Sequence, residues 1–191
     1  LSIGWFLQKT FANGVIGPNG QLTLGLLTGA ILLIFGNKWA KSKTNIATTF
    51  TILGGLTIIG TGFAGRNIHD LLTPNLTFGI MLLTVIYMSI QAIKHNKLSI
   101  ATISLIGGAL TPAFINSPEP NYLFFFSYLA LLNIGTAIVS SKKDWRSLSF
   151  LAFLFTAFFS LELGSLSSNT AIWIFMAIFY LQFLYNNVNN I

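Results

Sequence analysis

The chain contains no cysteine, which excludes disulfides, thiolate nucleophiles and cysteine-based metal sites. Charge is nearly as scarce. Only 7% of the 191 residues are Asp, Glu, Lys or Arg, and just four of those are acidic. Soluble domains carry about 25% charge, so a soluble reading is excluded. Histidine occurs twice, at His69 and His95. In the topology derived below these fall on opposite sides of a membrane and cannot share a metal. No catalytic spacing of nucleophile and base is present, no metal site is expected and no cofactor is implied.

What the chain has in abundance is apolar length. Hydrophobic residues make up 53%, with a mean hydropathy of +0.74. Continuous apolar runs recur at about the length a helix needs to cross a bilayer core. We read seven spans: Leu22–Gly36, Ile46–Gly65, Leu76–Ile93, Leu98–Ile115, Tyr122–Val139, Leu148–Leu163 and Ala171–Tyr185. A β-barrel is disfavoured, because barrel strands alternate apolar and polar residues and these runs do not. The fold class expected is all-α: a polytopic transmembrane helical bundle of about seven spans, one membrane-embedded domain over residues 1–191. The opening at Leu1, without Met, and the Asn-rich close at Asn186–Ile191 are what an excerpt of a longer polytopic chain would show.

Eight of the ten Lys/Arg lie in three short loops: Lys38, Lys41 and Lys43; Lys94 and Lys97; Lys142, Lys143 and Arg146. Basic residues accumulate on the cytoplasmic side of membrane proteins, so the three loops belong together there. Lys9, Arg66, Asp70, Glu119 and Glu162 fall to the other side. Trp39 and Trp145 flank basic loops, where amphipathic rings suit the interface. The formal charge of +6 therefore does not mark a nucleic-acid binder, which gathers its basic residues on one solvated face. The partner implied is a lipid bilayer, with other membrane subunits as further candidates.

A repeat runs through the chain. Lys43-Thr44-Asn45-Ile46-Ala47-Thr48 leads to Gly54-Gly55, and Lys97-Leu98-Ser99-Ile100-Ala101-Thr102 leads to Gly107-Gly108. Each unit is helix, basic loop, helix and outer turn, so tandem two-helix units would run parallel. That differs from the inverted repeats of many secondary transporters. Coincidence among Ile/Ala/Thr/Gly-rich spans is the competing explanation.

Four features are candidates for function or packing. Gly25 and Gly29 place small residues on one helix face, and Gly54-Gly55 does the same in the next span; such faces let helix backbones approach closely. Gly107-Gly108-Ala109-Leu110-Thr111-Pro112 should loosen the fourth span before Ile115, because Pro112 cannot donate to the Gly108 carbonyl. A broken helix lining a cavity can hold ion or substrate; a plain kink is the alternative. In hydrocarbon the freed carbonyl must find a neighbouring helix, a Thr hydroxyl or water, and the outer end of the second or sixth span is the expected neighbour. Arg66, His69 and Asp70 form the dense polar cluster of the outer side, able to support acid–base or cation chemistry or simply to be solvated. Glu162 sits within an apolar run, where an ionisable side chain is costly unless it serves a function or reaches the interface.

The chain resembles the bacterial predicted membrane proteins grouped as domain of unknown function 2339. The resemblance rests on Ala12-Asn13-Gly14-Val15-Ile16-Gly17-Pro18, on Leu53-Gly54-Gly55 and on Ile106–Pro112. It continues through Tyr128–Asn133 and through Trp145-Arg146-x-Leu148. The chain departs from that pattern at Asn19-Gly20-Gln21, where such proteins tend to carry an acidic residue and then Arg. The resemblance implies a many-spanning membrane protein of the bacterial inner membrane and supplies no activity. Two functions stay open. One is transport or flipping of a small solute, lipid or envelope precursor. The other is a structural or scaffolding subunit that binds partner helices or lipid without catalysis. An intramembrane enzyme ranks third.

Overall fold

A computed structural model describes residues 16–114, 122–143 and 145–166, with 177, 180, 181, 183 and 184. Among the described residues there are six helices: α1 Pro18–Trp39, α2 Thr44–Asn67, α3 Pro74–His95, α4 Leu98–Phe114, α5 Tyr122–Lys143 and α6 Arg146–Leu166. The fold is all-helical. Three helices are long and apolar enough to cross a membrane, namely Pro18–Trp39, Thr44–Asn67 and Pro74–His95, and shorter apolar helices cover Leu98–Pro112 and Arg146–Phe159. At about 1.5 Å per residue, α1 to α3 each exceed a bilayer core of about 30 Å. The expected seventh span, Ala171–Tyr185, lies largely outside the described residues.

Local chemistry sets the helix ends. Pro18 occupies the start of α1, where its missing N–H would have had no partner. Asn96 closes α3 with φ +52°, and the Lys97 amide bonds back to the Ala92 carbonyl at 3.0 Å. This is the left-handed cap usually given to Gly and tolerated by Asn. Within the helices, threonines return their hydroxyls to the carbonyl four residues earlier: Thr51 to Ala47 at 2.9 Å, Thr84 to Ile80 at 2.7 Å and Thr156 to Ala152 at 2.9 Å. That local bond lets a hydroxyl sit at membrane depth without an orphaned donor.

The chain groups into two compact units, one within Leu1–Tyr87 and Thr111–Ser117, the other within Met88–Leu110 and Pro118–Ile191. In the first, α1 and α2 form an antiparallel pair joined through glycine. A Cβ added at Gly29 would meet Ile58 Cγ1 at 2.5 Å and the Gly54 carbonyl oxygen at 3.0 Å. One added at Gly54 would meet the Gly29 carbonyl oxygen at 2.8 Å and the Leu33 amide nitrogen at 2.9 Å. Gly25 lies against Thr61, and Gly36 against Thr51. Tyr87 of α3 donates its hydroxyl to the Leu33 carbonyl at 3.4 Å. At one end, Phe35, Trp39 and Phe50 stack around one another, with Trp39 5.3 Å from each of the two phenyl centroids.

In the second unit, α5 and α6 form an antiparallel pair held by polar contacts. Asn133 Nδ2 donates to Thr156 Oγ1 at 2.8 Å. Ser149 donates to Ser140 at 2.8 Å, and Ser140 passes its own proton to the Trp145 carbonyl at 3.0 Å. Leu129, Leu148 and Ala152 fill the buried core of this unit. Ser89 and Ser104 hydrogen-bond at 2.9 Å and tie the end of α3 to α4.

Candidate functional site

The candidate residues come to three places. The first is the Gly-Gly-x-x-Thr-Pro stretch of α4. Gly107 and Gly108 are buried, and Ala109 and Thr111 are 0% exposed. The helix runs on through Pro112 to Phe114, so Pro112 does not interrupt it before that point. The carbonyl that Pro112 cannot serve, that of Gly108, accepts the Tyr128 hydroxyl at 2.7 Å. Its donor comes from α5, not from the second or sixth span. A phenol on the adjacent helix thus substitutes for the missing amide, the arrangement that tolerates proline within spanning helices.

The second place is the end of α2. Arg66 pairs with Asp70 one turn on and reaches the Leu72 carbonyl at 3.5 Å. Asp70 takes φ +49°, which reverses the chain and lets the Leu71 amide bond to the Gly65 carbonyl at 2.8 Å. The Asp70 side chain is 84% exposed and that of Arg66 19%. The two charges neutralise each other, and the pair secures the turn. His69 lines a groove between α1 and α2. This groove has a volume of about 260 Å3 and is lined by Gln21, Leu22, Leu56, Thr57, Gly60, Thr61 and His69, with Ala64 and Gly65.

Glu162 belongs to α6, but its side chain lies outside the described residues, as does Glu119. Among the described residues, no three His, Asp or Glu side chains gather where a metal could bind. His95 instead hydrogen-bonds Gln91 at 2.8 Å.

The third place is the pair of helix seams. Gly25, Gly29 and Gly54 lie at the closest approach of α1 and α2, and Gly55 is buried beside them. The partnered polar seam of α5 and α6 escaped the sequence reading. Its signal was present: Asn133, Thr136 and Ser140 recur at three- to four-residue spacing on α5, and Asn133 and Ser140 meet Thr156 and Ser149 of α6.

Comparison with known proteins gives one match. The family model described as Predicted membrane protein (DUF2339) covers residues 1–186, and the chain belongs to that family. No curated protein and no solved structure matches it.

Proposed function

We propose that this member of the family is a multi-pass protein of the bacterial inner membrane that acts as a structural subunit, its helices holding lipid or partner helices. In this reading the loops with Lys38–Lys43, Lys94–Lys97 and Lys142–Arg146 are cytoplasmic, and Arg66–Asp70 faces the opposite compartment. The carrying observation is how the polar groups of the second unit are used. Tyr128, Asn133, Ser140 and Ser149 hydrogen-bond to neighbouring helix groups. A polar side chain spent on helix–helix contact fixes a bundle, whereas a transport path needs polar groups turned to water or substrate. Large apolar side chains such as Leu27, Ile34, Leu83 and Phe158 point outward, as a lipid- or partner-facing surface requires.

Transport or flipping remains the second reading. It is favoured by the groove beside His69 and would involve Gly107, Gly108, Thr111, Pro112 and Glu162.

The absence of native cysteine makes a direct test available. Single cysteines at Asn133 and Thr156 should resist a small water-borne thiol reagent in native membranes. Cysteines at Ser42 and Ser117 should react, the first only from the cytoplasmic side and the second only from outside. Reaction at both Asn133 and Thr156 positions would establish a wet path and turn the conclusion to transport. Labelling of Ser42 from outside intact cells would reverse the topology.

A further inference from the structure

The groove between α1 and α2 combines features that the packing of those helices does not need. Along α2 the side chains of Leu53, Leu56 and Phe63 are exposed, forming an apolar track on the lipid side. Beside that track, Gly60 is exposed, and a Cβ built there would meet nothing within 4 Å. Gly60 lies about 10 Å below the end of α2 at a rise of about 1.5 Å per residue. The groove therefore runs from the depth of a lipid's upper chains to the level of its head group, ending at His69.

Its polar lining both gives and takes hydrogen bonds. Thr57 donates its hydroxyl to the Leu53 carbonyl at 2.7 Å, so its oxygen is left as an acceptor. Gln21 donates Nε2 to the Ile16 carbonyl at 3.1 Å, which leaves its amide oxygen as an acceptor as well. Thr61, His69 and the second Nε2 hydrogen of Gln21 stand beside these acceptors as donors. The adjoining Arg66–Asp70 pair cancels its own charge, and the lining carries no Lys or Arg. The matching ligand is a lipid whose head group carries hydroxyls, which donate and accept at once.

We propose that the groove bounded by Gln21, Leu56, Thr57, Gly60, Thr61 and His69 binds one diacyl lipid through the hydroxyls of a glycerol or sugar head group. The acyl chain lies along Leu53 and Leu56, and the bare backbone at Gly60 makes room for it. The site rests on the membrane reading above and adds a ligand class to it.

Native mass spectrometry of the full-length protein, taken from mixed micelles holding equal phosphatidylglycerol, glucosyl diacylglycerol and phosphatidylcholine, tests this. The wild type should retain the two hydroxylated lipids about tenfold over phosphatidylcholine, the gain from one or two hydrogen bonds. Gly60→Leu should abolish that preference by filling the groove, and His69→Ala should weaken it by about fivefold. Equal retention of all three lipids, or an unchanged preference in both variants, overturns the site. Retention of phosphatidylglycerol alone overturns hydroxyl recognition in favour of charge. A wild-type chain that fails to sediment with membranes would sink the membrane reading itself; a membrane-resident chain that does not discriminate sinks only the lipid site.

Discussion

The two units solve one problem by different means. In lipid, helices gain little hydrophobic free energy by leaving the bilayer for each other, so association depends on close packing and interhelical hydrogen bonds. The α1–α2 pair uses the first. Gly29 and Gly54 bring backbone against backbone, with no space for a Cβ on either side. The α5–α6 pair uses the second, through Asn133–Thr156 and Ser149–Ser140. The first device depends on the absence of atoms and fails when one is added. The second depends on specific partners and fails when one is removed.

The largest expected effect is on the glycine seam. Gly54→Leu should cost about 3 kcal/mol by overpacking a contact made of backbone, read as a fall in the thermal unfolding midpoint in detergent. Gly60→Ala, on the same helix but facing open space, should instead stabilise by about 0.5 kcal/mol through reduced chain entropy. A gain at both positions would mean that helix propensity governs this pair, and the contrast with α5–α6 would collapse.

A medium effect is expected where α4 meets α5. Tyr128→Phe leaves the Gly108 carbonyl buried without the phenol donor, at about 1–3 kcal/mol. Adding Pro112→Ala returns an amide hydrogen to that carbonyl, so the double variant should recover most of the loss. No recovery would show that the Tyr128 hydroxyl contributes by something other than serving the Gly108 carbonyl.

The smallest effect belongs to the polar seam. A double-mutant cycle of Asn133→Ala with Thr156→Val should yield a coupling of about 0.6–1.7 kcal/mol. A coupling of zero would reduce the seam to local bonds, since Asn133 also donates to the Leu129 carbonyl at 2.9 Å.

The amino-acid sequence by itself determined that the chain is helical and apolar at membrane length, because charge scarcity and continuous hydrophobic runs are properties of composition and order. It also made the small faces at Gly25, Gly29 and Gly54 legible, since a spacing of four returns a residue to the same side of a helix. It marked Gly108 as the carbonyl that Pro112 leaves without its amide, because that consequence is local and covalent. Which neighbour answers that carbonyl was decided only by tertiary structure. Tyr128 is twenty residues away, and nothing in the spacing says that α5 passes there. The same holds for Asn133 and Thr156 and for the groove at Gly60. A hydrogen bond between helices depends on their register and rotation, which the packing of many side chains sets together and no single stretch of sequence carries.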